Sequence, residues 1–289
     1  MAMQLQRLFA RQTTLQGQVA SGQRVTQLSD DPAAASRILA LESQKQGIQQ
    51  LFRNQGRAMQ ISQSVFGSLS ALKTISDRAG ELGVLGGSDA AGSDSFQAYS
   101  AEVNQLIEQA IQDGNTRLGT DYLFGGTKTD APPFEVTRDA SGNATAVTYN
   151  GAATAAKMQT SEGGTLISPY TDGATNQQLG DFVNNLIALR DALTNEDPTA
   201  VQAAASNLHG SEDNLLVAIS GVGAVQARLE ADGTQNSARF TDLEKLVSQD
   251  ADADLAQTLV KFQQTQTAYQ AALQSGAQVM QLSLLDYLQ

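Results

Sequence analysis

Cysteine is absent from the 289 residues, which excludes disulfides and thiolate metal sites. Tryptophan is absent too, aromatics make up 5 %, and alanine carries much of the 41 % hydrophobic content. Such a chain buries small side chains along helix seams more readily than it fills a thick globular core. Histidine occurs once, at His209, which removes His-pair metal sites and an H-E-x-x-H protease. Apolar runs stay well short of the roughly 18 residues that cross a bilayer. The N-terminus lacks a compact apolar stretch ahead of a small-residue cleavage site, so it does not read as a secretory signal. Basic residues are also scarce. Eighteen Lys and Arg against 30 Asp and Glu leave a net charge of -12. Phosphate contacts need clustered cations, so nucleic acid and anionic membrane surfaces are excluded as partners. The acidity is uneven, because the only charges before Asp30 are Arg7, Arg11 and Arg24.

What the chain does have is a seam at each end. Leu5, Leu8, Gln12, Leu15, Val19 and Gly22 alternate three and four residues apart. Leu255, Leu259, Phe262, Gln266, Tyr269, Leu273, Gly276 and Met280 alternate four and three apart. Leu284, Leu285 and Leu288 extend the apolar end. That spacing draws one narrow stripe down each helix, the pattern of a coiled-coil strand. A stripe cannot be buried by its own helix, so each terminus needs a partner. The nearest is the other terminus, and the residues expected to carry assembly are Leu5, Leu8, Leu15, Val19, Leu255, Leu259, Phe262, Tyr269, Leu273, Met280, Leu284, Leu285 and Leu288.

Between the seams, Ser29-Asp30-Asp31-Pro32 reads as a helix start, a cap followed by proline in the first turn. From Ala33 an apolar repeat continues to Leu82, a helix of about 50 residues and roughly 75 Å. Gly83 to Ser95 reads as a turn, and a second helix with Phe96, Tyr99, Val103 and Leu106 on one face runs to about Leu118. The character then changes. Phe134–Thr137 and Ala146–Tyr149 alternate around a turn and predict a β-hairpin, and Thr165 to Ile167 predicts another short strand. Helix returns at Gln177 and, after a break from Asn195 to Pro198, continues to about Ser248. The expected fold is mainly α: an elongated helical rod (30–118 and 177–251), paired terminal coiled-coil segments (1–29 and 252–289), and a small β-rich inserted outer domain (119–176).

Candidate chemistry is thin. Asp250, Asp252 and Asp254 open like a calcium loop, but Leu255 stands where the required glycine should be and Lys261 where the bidentate glutamate should be. Helix capping is the better reading, since carboxylates favour the positive end of a helix. Gly221-Val222-Gly223 lacks a third glycine, having Gln226 there, and lacks a preceding strand. His209 lies within a helical pattern and is read as a surface or inter-helix residue. No catalytic, cofactor or metal constellation emerges, and the chain does not read as an enzyme.

Four stretches resemble the bacterial flagellin family. They are Val19 to Val25 followed by Ser29 to Ala35, Asn115 through Thr127 with Pro133-Phe134, Asp250 to Ala256, and Ser283 to Leu288. Their order and spacing cover nearly the whole chain, and the last resembles a junction member of the family more than a filament subunit. The resemblance implies a non-enzymatic structural protein of the flagellum. Copies of the chain would form an adaptor ring between hook-associated protein FlgK and the flagellin filament. It further implies an extracellular location reached through the flagellar type III apparatus without cleavage, and a cytoplasmic export chaperone on the C-terminal segment. Relatives carry more residues ahead of the position matching Leu5, so the resemblance implies a shortened N-terminus here. Ala152 departs from the acidic residue common at that turn. The alternatives from neighbouring classes are filament flagellin itself and a secreted helical adhesin or effector.

Overall fold

The computed structural model describes residues 2–88 and 92–287, with side chains from 3 to 278 in that range. Among these residues the chain forms six helices: α1 (Ala2–Ser21), α2 (Pro32–Gly86), α3 (Ser93–Gly114), α4 (Gly173–Thr194), α5 (Pro198–Ala251) and α6 (Leu255–Tyr287). Six short strands lie between α3 and α4: β1 (Arg117–Leu118), β2 (Asp121–Tyr122), β3 (Phe134–Arg138), β4 (Ala144–Tyr149), β5 (Met158–Gln159) and β6 (Leu166–Ile167). They pair as three antiparallel two-stranded sheets, β1 with β2, β3 with β4 and β5 with β6. The chain divides into two compact units, residues 50–236, and residues 1–49 with 237–289.

In the 50–236 unit, apolar side chains recur at helical spacing and meet in one core. On α2 they are Ile61, Val65, Leu69, Leu72, Ile75, Ala79 and Leu82. The facing set on α4 includes Phe182, Leu186, Leu189 and Leu193. Helix α3 packs on α4, and strand β4 packs on α4 as well. Leu123, Phe124, Phe134, Ala144 and Val147 from the strand region enter this same core. The aromatic run at Tyr122–Phe124 is therefore buried where strands meet helices.

Buried polar groups there are matched around Asn176, although the Ser62 and Ser76 hydroxyls and Asp113 Oδ2 are buried with no hydrogen-bond partner among the described residues. Asn176 is fully buried, and its Nδ2 donates to the Phe124 carbonyl at 2.9 Å and to the Tyr149 hydroxyl at 3.2 Å. The Tyr149 hydroxyl lies 3.1 Å from the Phe124 carbonyl and 3.0 Å from that of Ala152, either of which accepts its proton. Gly126 has φ +66, and a Cβ there would stand 2.7 Å from the Ala152 carbonyl oxygen, so this turn requires glycine. Asparagine side chains also close both edges of the β3–β4 hairpin. Asn115 bonds Phe134 N–H and C=O, and Asn184 bonds those of Val147.

Several boundaries differ from the sequence reading for local reasons. Helix α4 starts at Gly173, four residues earlier, because Asp172 caps it by accepting from Thr175 N–H at 2.8 Å. Helix α3 stops at Gly114, so Leu118 belongs to β1. The predicted hairpin is present and longer, with a register shift between Thr137 and Arg138. The strand expected at Thr165 to Ile167 is present as β6, whereas β1, β2 and the β5 partner were not anticipated, since two-residue strands leave too little alternation to read.

Candidate assembly interface

The other unit holds both sequence seams. Helix α1 packs on α6. Their directions are opposed, because Gly22 C=O accepts from Ala253 N–H at 2.8 Å while Phe9 meets Tyr269 with ring centroids 6.2 Å apart. The α1 stripe lies where the sequence places it. Leu5, Leu8, Gln12, Val19 and Gly22 are half-buried and Leu15 is buried.

The α6 stripe is rotated from the expected one. Its covered positions are Thr258, Phe262, Thr265, Tyr269, Ala272 and Gly276, which keep the four–three alternation. Phe262, Tyr269 and Gly276 are shared with the expected stripe, whereas Gln266 is exposed and Leu255, Leu259 and Leu273 are 51, 46 and 46 % exposed. The physical reason is width. Positions 255, 259 and 273 lie on one flank of the helix and 258, 265, 272 and 276 on the other, with Phe262 and Tyr269 between them. A 20-residue partner covers only one flank, and small side chains let it approach closely. The buried Thr265 hydroxyl costs little, since it donates to the Lys261 carbonyl at 2.7 Å. Helix α6 runs as backbone through Met280, Leu284 and Leu285, whose side chains lie outside the described ones, and Leu288 lies outside the described residues altogether.

The terminal pair is tied to α2 and α5 by its two connectors. Gln23 and Asp252 form an antiparallel bridge, and Arg24 N–H donates to the Ala251 carbonyl at 2.6 Å. The Arg24 guanidinium reaches Asp31 at 3.1 Å and the Asp250 carbonyl at 2.8 Å. Arg37 grips Asp250 through two bonds of 3.0 and 2.6 Å. These contacts set the carboxylates. The Arg37 hydrogen bond holds Asp250 below the usual aspartate range. The Ala34 N–H, then Arg24, does the same for Asp31. Asp31 is the α2 cap, accepting from Ala34 N–H at 3.0 Å ahead of Pro32 in the first turn.

The three aspartates that open like a calcium loop have separate employment. Asp250 pairs with Arg37, Asp252 accepts from Ser248, and Asp254 caps α6 by accepting from Gln257 N–H at 3.1 Å. Among the described residues no group of three His, Asp or Glu is placed to hold a metal ion. His209 is exposed on α5 beside Glu212. Gly221 and Gly223 sit inside α5 with open space where a Cβ would stand. Among the described residues no helix is long and apolar enough to cross a membrane.

Sequence reasoning missed Thr258, Thr265 and Ala272 because it sought large apolar residues. The usable signal was the second 4–3 ladder of small residues running beside the leucines.

A chain with seam helices at both ends and, between them in sequence, a helical unit with small sheets has known counterparts. Residues 2–129 match the bacterial flagellin N-terminal helical region. Flagellar hook-associated protein 3 of Escherichia coli K12 is 25 % identical over 93 % of this chain and 90 % of its own length. The crystal structure of Bacillus cereus FlgL superposes with a TM-score of 0.62 at 20 % identity, covering 72 % of this chain and 99 % of that one. The flagellar junction protein FlgL of Legionella pneumophila does so with a TM-score of 0.56 at 13 % identity, over 75 % of this chain and 100 % of that one. On this architecture and these likenesses, the chain is a structural component of the bacterial flagellum whose residues 2–129 match the flagellin N-terminal helical region.

Proposed function

We propose that this chain is a hook–filament junction subunit. Copies of it form an adaptor ring between hook-associated protein FlgK and the flagellin filament, built by packing the terminal helices of neighbouring copies together. The observation that carries the reading is the exposed flank of α6. Leu255, Leu259 and Leu273 lie in the open there, and Met3 and Phe9 do so on α1. A helix pair with an apolar outer flank is stable only where another surface covers it. Similarity to chains described as hook-associated protein 3 and as a flagellar junction protein supports the same reading.

In the free chain the terminal helices gain too little burial to offset the entropy of ordering, so they are weakly formed and become fully helical on docking. Lateral contacts are heterologous, which generates a ring that can match a helical lattice. The β-bearing region faces outward. Export proceeds through the flagellar type III apparatus to the cell exterior, with a cytoplasmic chaperone on the C-terminal segment beforehand. The chain carries no catalytic role in this scheme.

A strain lacking the chain tests the proposal. Bare hooks with flagellin spilled into the medium are expected. Normal filaments would refute it, and loss of flagellin from both filament and medium would point to a filament subunit instead.

A further inference from the structure

The terminal pair carries charge of one sign on a chain dominated by the other. Residues 1–29 and 255–289 hold four Lys or Arg and a single acid, Asp286, whereas residues 30–254 hold 14 Lys or Arg and 29 acids. The first set totals +3 and the second -15. Arg24 is engaged with Asp31 and the Asp250 carbonyl. Among the described residues, the side chains of Arg7, Arg11 and Lys261 have no ion pair or hydrogen bond.

Arg11 and Lys261 line a groove of about 450 Å³ between α1 and α6, with Thr14, Gln18 and Thr258 along its walls and Arg24 at its connector end. Its one acid, Asp254, is committed to capping α6. The N-terminus of α6 adds its own positive end to the groove. On α1, Arg7 and Arg11 stand four apart, a like-charge spacing that weakens an isolated helix. The sequence therefore keeps Arg7 and Arg11 at a spacing that costs helix stability, and neither they nor Lys261 find a counter-ion among the described residues.

We propose that this cationic groove receives carboxylate side chains from the acidic 30–254 region of a second copy of the chain. The inference rests on the self-assembly reading above and gives it a direction. An apolar flank supplies adhesion but little register, whereas paired charges fix which face meets which and speed encounter. Neighbouring copies also repel through their acidic regions, and a basic strip laid between those regions relieves that repulsion.

The test uses the full-length chain, isotope-labelled and unlabelled copies mixed, with a carbodiimide that joins a lysine amine directly to a carboxylate. Lys261 is expected to give mixed-label links to Asp or Glu of the other copy at about 50 mM salt. Those links should fade at about 500 mM, where screening shortens the reach of charge. Sedimentation of Arg7→Glu/Arg11→Glu/Lys261→Glu should show self-association weakened at least about tenfold, and Lys261→Arg should leave it unchanged. Circular dichroism of the variants checks that they fold, and Lys261→Gln provides a milder charge loss with the same expected direction.

Association that survives charge reversal, or that salt strengthens as purely apolar contact would, overturns this inference and leaves the junction reading standing. Links from Lys261 confined to its own chain do the same. A wild-type chain that fails to associate at either salt overturns this inference, while the junction reading stands or falls by the deletion strain.

Discussion

The two units solve burial in different ways. Residues 50–236 close around Phe124, Phe182 and a ladder of leucines and isoleucines, and even their internal amide, Asn176, is matched. The terminal pair packs the α1 leucines against Thr258, Thr265, Ala272 and Gly276, while Leu255, Leu259 and Leu273 of α6 face outward. The first arrangement is self-sufficient. The second fits close approach between helices and leaves Leu255, Leu259 and Leu273 for something else to cover. Stability and assembly are thus assigned to different stretches of the same chain.

That division can be broken by mutation. The largest effect is expected from Phe182→Ala, since emptying a fully buried aromatic site costs about 3–5 kcal/mol. Urea unfolding should show it as a lower midpoint for the 50–236 unit. Asn176→Ala should cost about 1–3 kcal/mol by leaving the Phe124 carbonyl short of a donor, read the same way.

Leu15→Ala should cost about 2 kcal/mol or less, because a two-helix seam collapses around the gap. Its mark should be lost helix signal confined to the termini. Leu259→Asp with Leu273→Asp should change the free chain by no more than about 0.5 kcal/mol, yet abolish function in a motility assay. Destabilisation of the free chain as large as that of Phe182→Ala would collapse the distinction between the units.

The smallest effect is pH-dependent. Asp31 and Asp250 have folded-state pKa values below the ordinary one. Their contribution to the connectors is complete above about pH 3.9, the unfolded aspartate value, and is lost as pH falls from there through the lowered folded values. Protease nicking at 22–28 should therefore stay flat from neutral pH to the carboxylate range and rise only below it. Asp250→Asn should raise nicking already at neutral pH.

Much of this was legible in the sequence, and the failures are instructive. The long helices could be read because α2 and α5 repeat apolar residues at 3.6 spacing over many turns, and Asp31-Pro32 marks a start that the structure keeps. The α1 stripe could be read because Leu5, Leu8 and Leu15 have no competing face. The covered face of α6 could not, because that helix carries two adjacent ladders and hydrophobicity favours the one left exposed. Spacing reports which residues share a face and says nothing of how many neighbours the helix has. Strands β1, β2 and β5 were invisible for want of length, although β6 was read at Thr165 to Ile167. The Arg24–Asp31–Arg37–Asp250 cluster joins residues more than 200 positions apart in sequence, which no local pattern encodes.

Hydrogen exchange of the full-length chain, free and within isolated flagella, tests the division most directly. In the free chain, α1 and α6 should exchange far faster than α3 and α4, and in flagella the terminal helices should become as protected as the core. Equal protection of α1, α6 and α4 in the free chain, unchanged on assembly, would contradict the account.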